Sequence, residues 1–174
     1  MQEVIREAQG GRAEAFEVLV EHYGPNIYRL ATAIVGPDEA RDIAQETFIA
    51  AWRDLPGLRD PDRFEPWLRR ILVNRSRNAL RSRQRRPTIS LSVPGPADHL
   101  AGAVDFRDAA DARQALDGAF ATLSGDQRAV IALHYGADLS ISEAAASMGI
   151  RAGTAKSRLN AALRRLRAAV EGQS

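Results

Sequence analysis

Apolar residues along this chain recur at three- and four-residue intervals almost throughout, the spacing of amphipathic helices, and no period-two alternation bounded by turn signals interrupts them. The pattern predicts an all-α fold. It breaks at length only from Pro87 to about Asp111. There Pro87, Pro94, Gly95 and Pro96 punctuate a stretch carrying Asp98, Asp105, Asp108 and Asp111 against the single base Arg107. That stretch reads as a flexible linker over residues 88–110. Two small helical domains are expected on either side of it, at residues 1–87 and 111–174, with no internal repeat relating them.

In the first domain the clearest helix runs from Pro37 to Leu55. Ala40, Ile43, Ala44, Thr47, Phe48, Ala51, Trp52 and Leu55 share one face, the expected core stripe. Asp42, Gln45, Glu46, Ile49 and Arg53 share the opposite one. An apolar, β-branched side chain framed by polar neighbours suits the centre of a partner site with a polar rim; a stray apolar residue on a solvated face fits it equally well. The next helix is expected from near Asp62 to about Ser82, with Asp62 and Glu65 at capping-box spacing and Pro66 in the first turn. Phe64, Trp67, Leu68, Ile71 and Leu72 supply its core face, which leaves its arginines, with Asn74 and Asn78, for solvent or a ligand. The loop before it, pinned by Pro56, Gly57 and Pro61, is suited to presenting backbone and side-chain groups to a base.

The second domain ends in a helix-turn-helix pattern. Ser140 and Glu143 have capping-box spacing, Ala144 and Ala145 are small where a second helix must cross closely, and Gly149 supplies the turn. A helix from Thr154 to about Val170 follows, with Ala155, Leu159, Ala162, Leu163, Leu166 and Val170 in one apolar stripe. Its opposite face holds Thr154, Ser157, Ala161, Arg164 and Arg165, flanked by Lys156 and Arg158. Short polar and long basic side chains near a helix N-terminus are what entry into a DNA major groove requires, whereas a plain αα-hairpin needs neither.

Charge sharpens this picture. The net charge is only +2 while the pI is about 9.5, so placement matters more than the total. From Pro66 to Arg86 there is no acid, while Arg69, Arg70, Arg75, Arg77, Arg81, Arg83, Arg85 and Arg86 are basic. Arg151 to Arg167 repeats the pattern with Arg151, Lys156, Arg158, Arg164, Arg165 and Arg167. Solvated arginine faces normally interleave acids, so two acid-free tracts point to two contacts with a polyanion. Catalytic chemistry has little to stand on. There is no glycine-rich phosphate loop, and His22, His99 and His134 are not spaced as a metal set, so no catalytic residue, metal or cofactor is expected. The absence of cysteine removes disulfides and thiol chemistry. Without a signal peptide or a long apolar run, the cytoplasm is the expected compartment and membrane insertion is not.

Three segments in order resemble extracytoplasmic-function sigma factors: DIAQETFIAAWR from Asp42 to Arg53, ILVNRSRNAL from Ile71 to Leu80, and AGTAKSRL from Ala152 to Leu159. The resemblance implies a transcription initiation factor that binds core RNA polymerase, through the β′ clamp helices and the β subunit, and takes it to promoter DNA. It places Asp42, Gln45, Glu46, Ile49 and Arg53 against the polymerase. It gives Leu58, Arg59, Asp60, Asn74, Arg75, Arg77, Asn78 and Arg81 to the minus-ten element, and Thr154, Lys156, Ser157, Arg158, Arg164 and Arg165 to the minus-thirty-five element. An anti-sigma factor is implied as regulator. Ala161, where some members carry a long basic residue, and Pro66 depart from the family pattern. A rival reading is a one-component regulator whose helix-turn-helix binds an operator; it leaves the first basic tract and the Asp42 to Arg53 stripe unexplained.

Overall fold

The computed structural model describes residues 1–85, 116 and 118–171. The expected linker at 88–110, with Pro87, Arg86 and Asp111 at its margins, lies outside the described residues, as do the side chains of Gln84, Arg85 and Val170. Among the described residues the fold is carried by α1 (Gln2–Gln9), α2 (Ala13–Val35), α3 (Pro37–Asp54), α4 (Phe64–Arg85), α5 (Gly125–Ile131), α6 (Ile141–Met148) and α7 (Ala152–Glu171). No strand occurs among the described residues.

The four N-terminal helices form one packed unit. Gly36, at φ 98°, takes a backbone conformation that other residues adopt only under strain; it ends α2, and Pro37 at once opens α3. Leu19, Ile27, Leu30 and Ile34 of α2 are then buried with Ile43 and Ala51 of α3 and Phe64, Leu68 and Leu72 of α4. Each large side chain buried this way contributes about 1.5–3 kcal/mol relative to exposure.

Two expectations for this unit are corrected. Asp62 and Glu65 do not form a capping box: Pro61 starts a short 3₁₀ turn, Pro61–Arg63, and the Asp60 carboxylate caps it by accepting from the Asp62 N–H at 3.0 Å. Helix α4 therefore starts at Phe64, and Glu65 pairs with Arg69 instead. Trp52 is not a core residue. It lies at the edge of the α2–α3 contact, 37% exposed, with its ring 4.9 Å from that of Phe16. Ala50, outside the expected stripe, is buried.

In the C-terminal unit the local signals act as written. Ser140 Oγ accepts from the Glu143 N–H at 3.2 Å, Glu143 Oε2 accepts from the Ser140 N–H at 2.9 Å, and Gly149 takes the left-handed conformation, φ 65° and ψ 35°. Ala144, Ala145, Ala155, Leu159 and Ala162 are buried where α6 and α7 cross. A second capping box, Ser124 with Gln127, opens α5.

The two units pack on each other. Their buried side chains join one core cluster, with α5 and α6 against α4 and α5 also against α2. Arg128 of α5 reaches the Ile34 carbonyl of α2 and the Ala121 carbonyl. Burial, reinforced by the nearby charge of Arg83, pulls its guanidinium below the usual arginine range.

Candidate nucleic-acid and partner interface

The α3 stripe is exposed at every expected position: Asp42, Gln45, Glu46, Ile49 and Arg53. Ile49 is 59% exposed, a large apolar side chain that the other described residues leave largely open. It does not stand alone. Ile49 and Gln45, with Phe48 and Trp52 on α3 and Phe16 and Val20 on α2, line an open apolar groove of about 520 Å³. Glu17 and Gln45 give this otherwise apolar trough a polar edge, the make-up of a groove that can take the apolar face of a helix. Sequence reasoning missed Phe16 and Val20, because the register that brings α2 beside α3 is a tertiary fact.

The loop between α3 and α4 is braced from a distance. Gln9 of α1 donates to the Leu58 carbonyl at 2.6 Å and the Leu55 carbonyl at 3.3 Å. Leu58 packs against the core, while Arg59 and Asp60 are exposed. Asp60 is already engaged as the cap described above and in an ion pair with Arg63 at 3.4 Å.

On α4, steps of about 100° per residue place Asn74, Asn78, Arg70 and Arg81 on one face, and all four are exposed. Neighbouring arginines are divided among other tasks. Arg69 is buried, contrary to the expectation that the arginines were left for solvent or a ligand; it faces the packed C-terminal unit and is held by Glu65. Arg75 lies 3.8 Å from Glu46, linking the α4 face to the α3 stripe. Arg77, on the border of the exposed face, is mostly buried. Its Nε lies 2.5 Å from Asp126 Oδ1 without hydrogen-bond alignment, and its Nη1 donates to the Met148 carbonyl at 3.1 Å.

On α7, Thr154, Lys156, Ser157, Arg164 and Arg165 are exposed on a helix whose first turn holds no acid. Arg158 is the exception. It pairs with the same carboxylate as Arg77, Nη2 to Asp126 Oδ2 at 3.0 Å. Arg165 donates to Gln127 Oε1 at 3.2 Å. Among the described residues no cluster of three or more His, Asp or Glu side chains could hold a metal, and no helix is long and apolar enough to cross a membrane.

This arrangement, a four-helix unit with an exposed polar stripe around Ile49 and an amide-bearing basic helix, followed by a helix-turn-helix, has known counterparts. Residues 19–86 match the family model of sigma-70 region 2, and residues 119–168 match that of sigma-70 region 4. The class is therefore the sigma-70 type of transcription initiation factor. Over 168 residues the chain is 33% identical to the RNA polymerase sigma-H factor of Pseudomonas aeruginosa, covering 91% of this chain and 87% of that protein. It is 30% identical over 167 residues to the ECF RNA polymerase sigma-E factor of Escherichia coli K12, with the same coverage. The solved structure of CnrH in complex with the cytosolic domain of CnrY superposes with a TM-score of 0.70 at 28% identity, covering 99% of this chain and 98% of that one. That of the sigma factor RpoE in complex with the anti-sigma factor NepR from Bartonella quintana gives 0.68 at 26%, covering 91% and 98%. The chain belongs to the ECF RNA polymerase sigma factors: it binds core RNA polymerase and directs it to promoters.

Proposed function

We propose that the exposed stripe Asp42, Gln45, Glu46, Ile49 and Arg53 is the polymerase contact, with the β′ clamp helices and the β subunit as its partners. The observation that carries it is Ile49, bare at the rim of an apolar groove and framed by the acids of its own helix. Residues 1–87 serve recruitment and the minus-ten element. There Leu58, Arg59 and Asp60 present the loop, Asn74 and Asn78 read unpaired bases through their amides, and Arg75, Arg77 and Arg81 hold the strand's backbone. Residues 111–174 serve the minus-thirty-five element through Thr154, Lys156, Ser157, Arg158, Arg164 and Arg165. The chain works in the cytoplasm, supplies no catalytic chemistry of its own, and answers to an anti-sigma factor as its solved relative from Bartonella quintana does.

Charge reversal at Asp42 or Glu46, or Ile49→Asp, abolishes capture by core polymerase while helicity is kept, because these side chains point away from the buried stripe of α3. Pull-down with core polymerase, read beside circular dichroism, is the test. Unchanged capture in all three variants overturns the assignment.

A further inference from the structure

Asp126 is the one described acid that touches both DNA-facing helices. Its two carboxylate oxygens are divided between Arg77 of α4 and Arg158 of α7, each within 3.0 Å. Around it the two units meet through Gly125, where an added Cβ would lie 2.6 Å from Leu80 Cδ1 of α4, and through the Arg77 bond to the Met148 carbonyl. Resting on the reading of α4 and α7 as the promoter-contacting helices, we infer that this packing is a self-blocked state latched by Asp126, in which one carboxylate withholds an arginine of each helix from DNA phosphate.

The contact has the character of a latch rather than of a permanent core. Arg69 Nε, Ser76 Oγ and Arg77 Nε on α4, with Arg128 Nε on α5 and Arg158 Nη1 on α7, are all buried without a hydrogen-bond partner among the described residues. Ser76 lies with Val73 and Leu80 on the stripe of α4 that meets Gly125, so its hydroxyl is dry only while the units stay together. Opening rehydrates these groups, which offsets the apolar area lost at Leu80. Phosphate competes for the same guanidinium groups with the same charge-assisted geometry as a carboxylate. Neither Arg77 nor Arg158 can bind it in full until Asp126 lets go, so promoter engagement and opening are one coupled equilibrium.

The chain has no cysteine, so labels at Glu21→Cys on α2 and Ala168→Cys on α7, both exposed, report the distance between units in the polymerase-free protein. The parent gives a narrow, short distance. Asp126→Asn broadens and lengthens it, raising the open-to-closed ratio about tenfold, since the loss leaves two half-buried cations facing each other. The same substitution in the unlabelled chain tightens the holoenzyme–promoter complex severalfold. An unchanged distance distribution in a variant of unchanged helicity overturns the latch, and so does opening without any gain at the promoter. If Asp126→Asn does not fold, a salt series decides on the parent alone: raising salt from about 0.05 M to about 0.5 M opens a charge-held latch, and a distance that ignores salt overturns it. Transcription by the parent chain with core polymerase is the separate control; its failure would count against the promoter reading of α4 and α7, not against the latch.

Discussion

Helices α4 and α7 look alike as sequence, each an arginine-rich, nearly acid-free amphipathic stretch, yet they hold different places in the molecule. Helix α4 is a structural helix on two sides. Phe64, Leu68 and Leu72 pack into the first unit, while Arg69, Ser76 and Arg77 are covered by the second. The face of Arg70, Asn74, Asn78 and Arg81 is left to solvent. Helix α7 buries a single stripe, Ala155, Leu159 and Ala162, with Leu163 and Leu166 half-covered beyond it, and keeps most of its polar surface open. Basic residues in a tract are thus not equivalent. Those on the flank that meets a neighbouring helix acquire carboxylate, carbonyl or amide partners, and those opposite the core remain for a ligand.

The difference can be tested first by stability. Leu72→Ala, at a fully buried site, should cost about 2–5 kcal/mol in urea unfolding, while Leu166→Ala, at a half-buried one, should cost under about 2 kcal/mol. Equal losses would mean that α7 is as deeply built into the fold as α4. The next effect in size belongs to the open face of α7. Substituting Lys156 or Ser157 should cost roughly 1–3 kcal/mol at one base pair of the minus-thirty-five element. Arg164→Ala should weaken binding to every sequence and lower the salt slope by about one unit. Holoenzyme binding to single-base promoter variants at several salt concentrations separates the two. If substituting Lys156 and Ser157 alters no base preference, the α7 assignment falls.

How much of this was legible in the sequence follows the range of the interactions. The helix-turn-helix was readable because Ser140, Glu143 and Gly149 act on backbone within a few residues of themselves, and the α3 stripe because helical periodicity orients it. Most of the departures arise where a distant residue intervenes. Trp52 left the core because Phe16 offered it a ledge, and Arg69 and Arg77 were drawn inward by a C-terminal unit that the sequence places far downstream. The bracing of Leu58 by Gln9 spans 49 residues, and no local pattern encodes it. At the start of α4 the error was local: Asp60 and Asp62 both have capping chemistry, and Pro61 between them decided for Asp60 by favouring a 3₁₀ turn first.

The smallest expected effect concerns the capping box that opens α6. The Glu143 carboxyl is held below its ordinary value of 4.5, first by the Ser140 hydroxyl, which donates to Oε2 at 2.6 Å, and then by the Ser140 backbone N–H. A carboxyl lowered in the folded state binds its proton more tightly in the unfolded one. Its contribution is therefore complete above the unfolded value and is lost as pH falls through that value toward the folded one. Glu143→Gln keeps an amide oxygen for the same two donors but does not titrate in this range. The stability difference between the parent and Glu143→Gln should be constant above about pH 5 and shrink on further acidification, while Ser140→Ala, which removes the N-cap, should cost about 1 kcal/mol near neutral pH. Urea unfolding at a series of pH values measures both. A difference that does not change with pH would show that the Glu143 charge adds nothing to the cap beyond the hydrogen bonds a neutral amide can make.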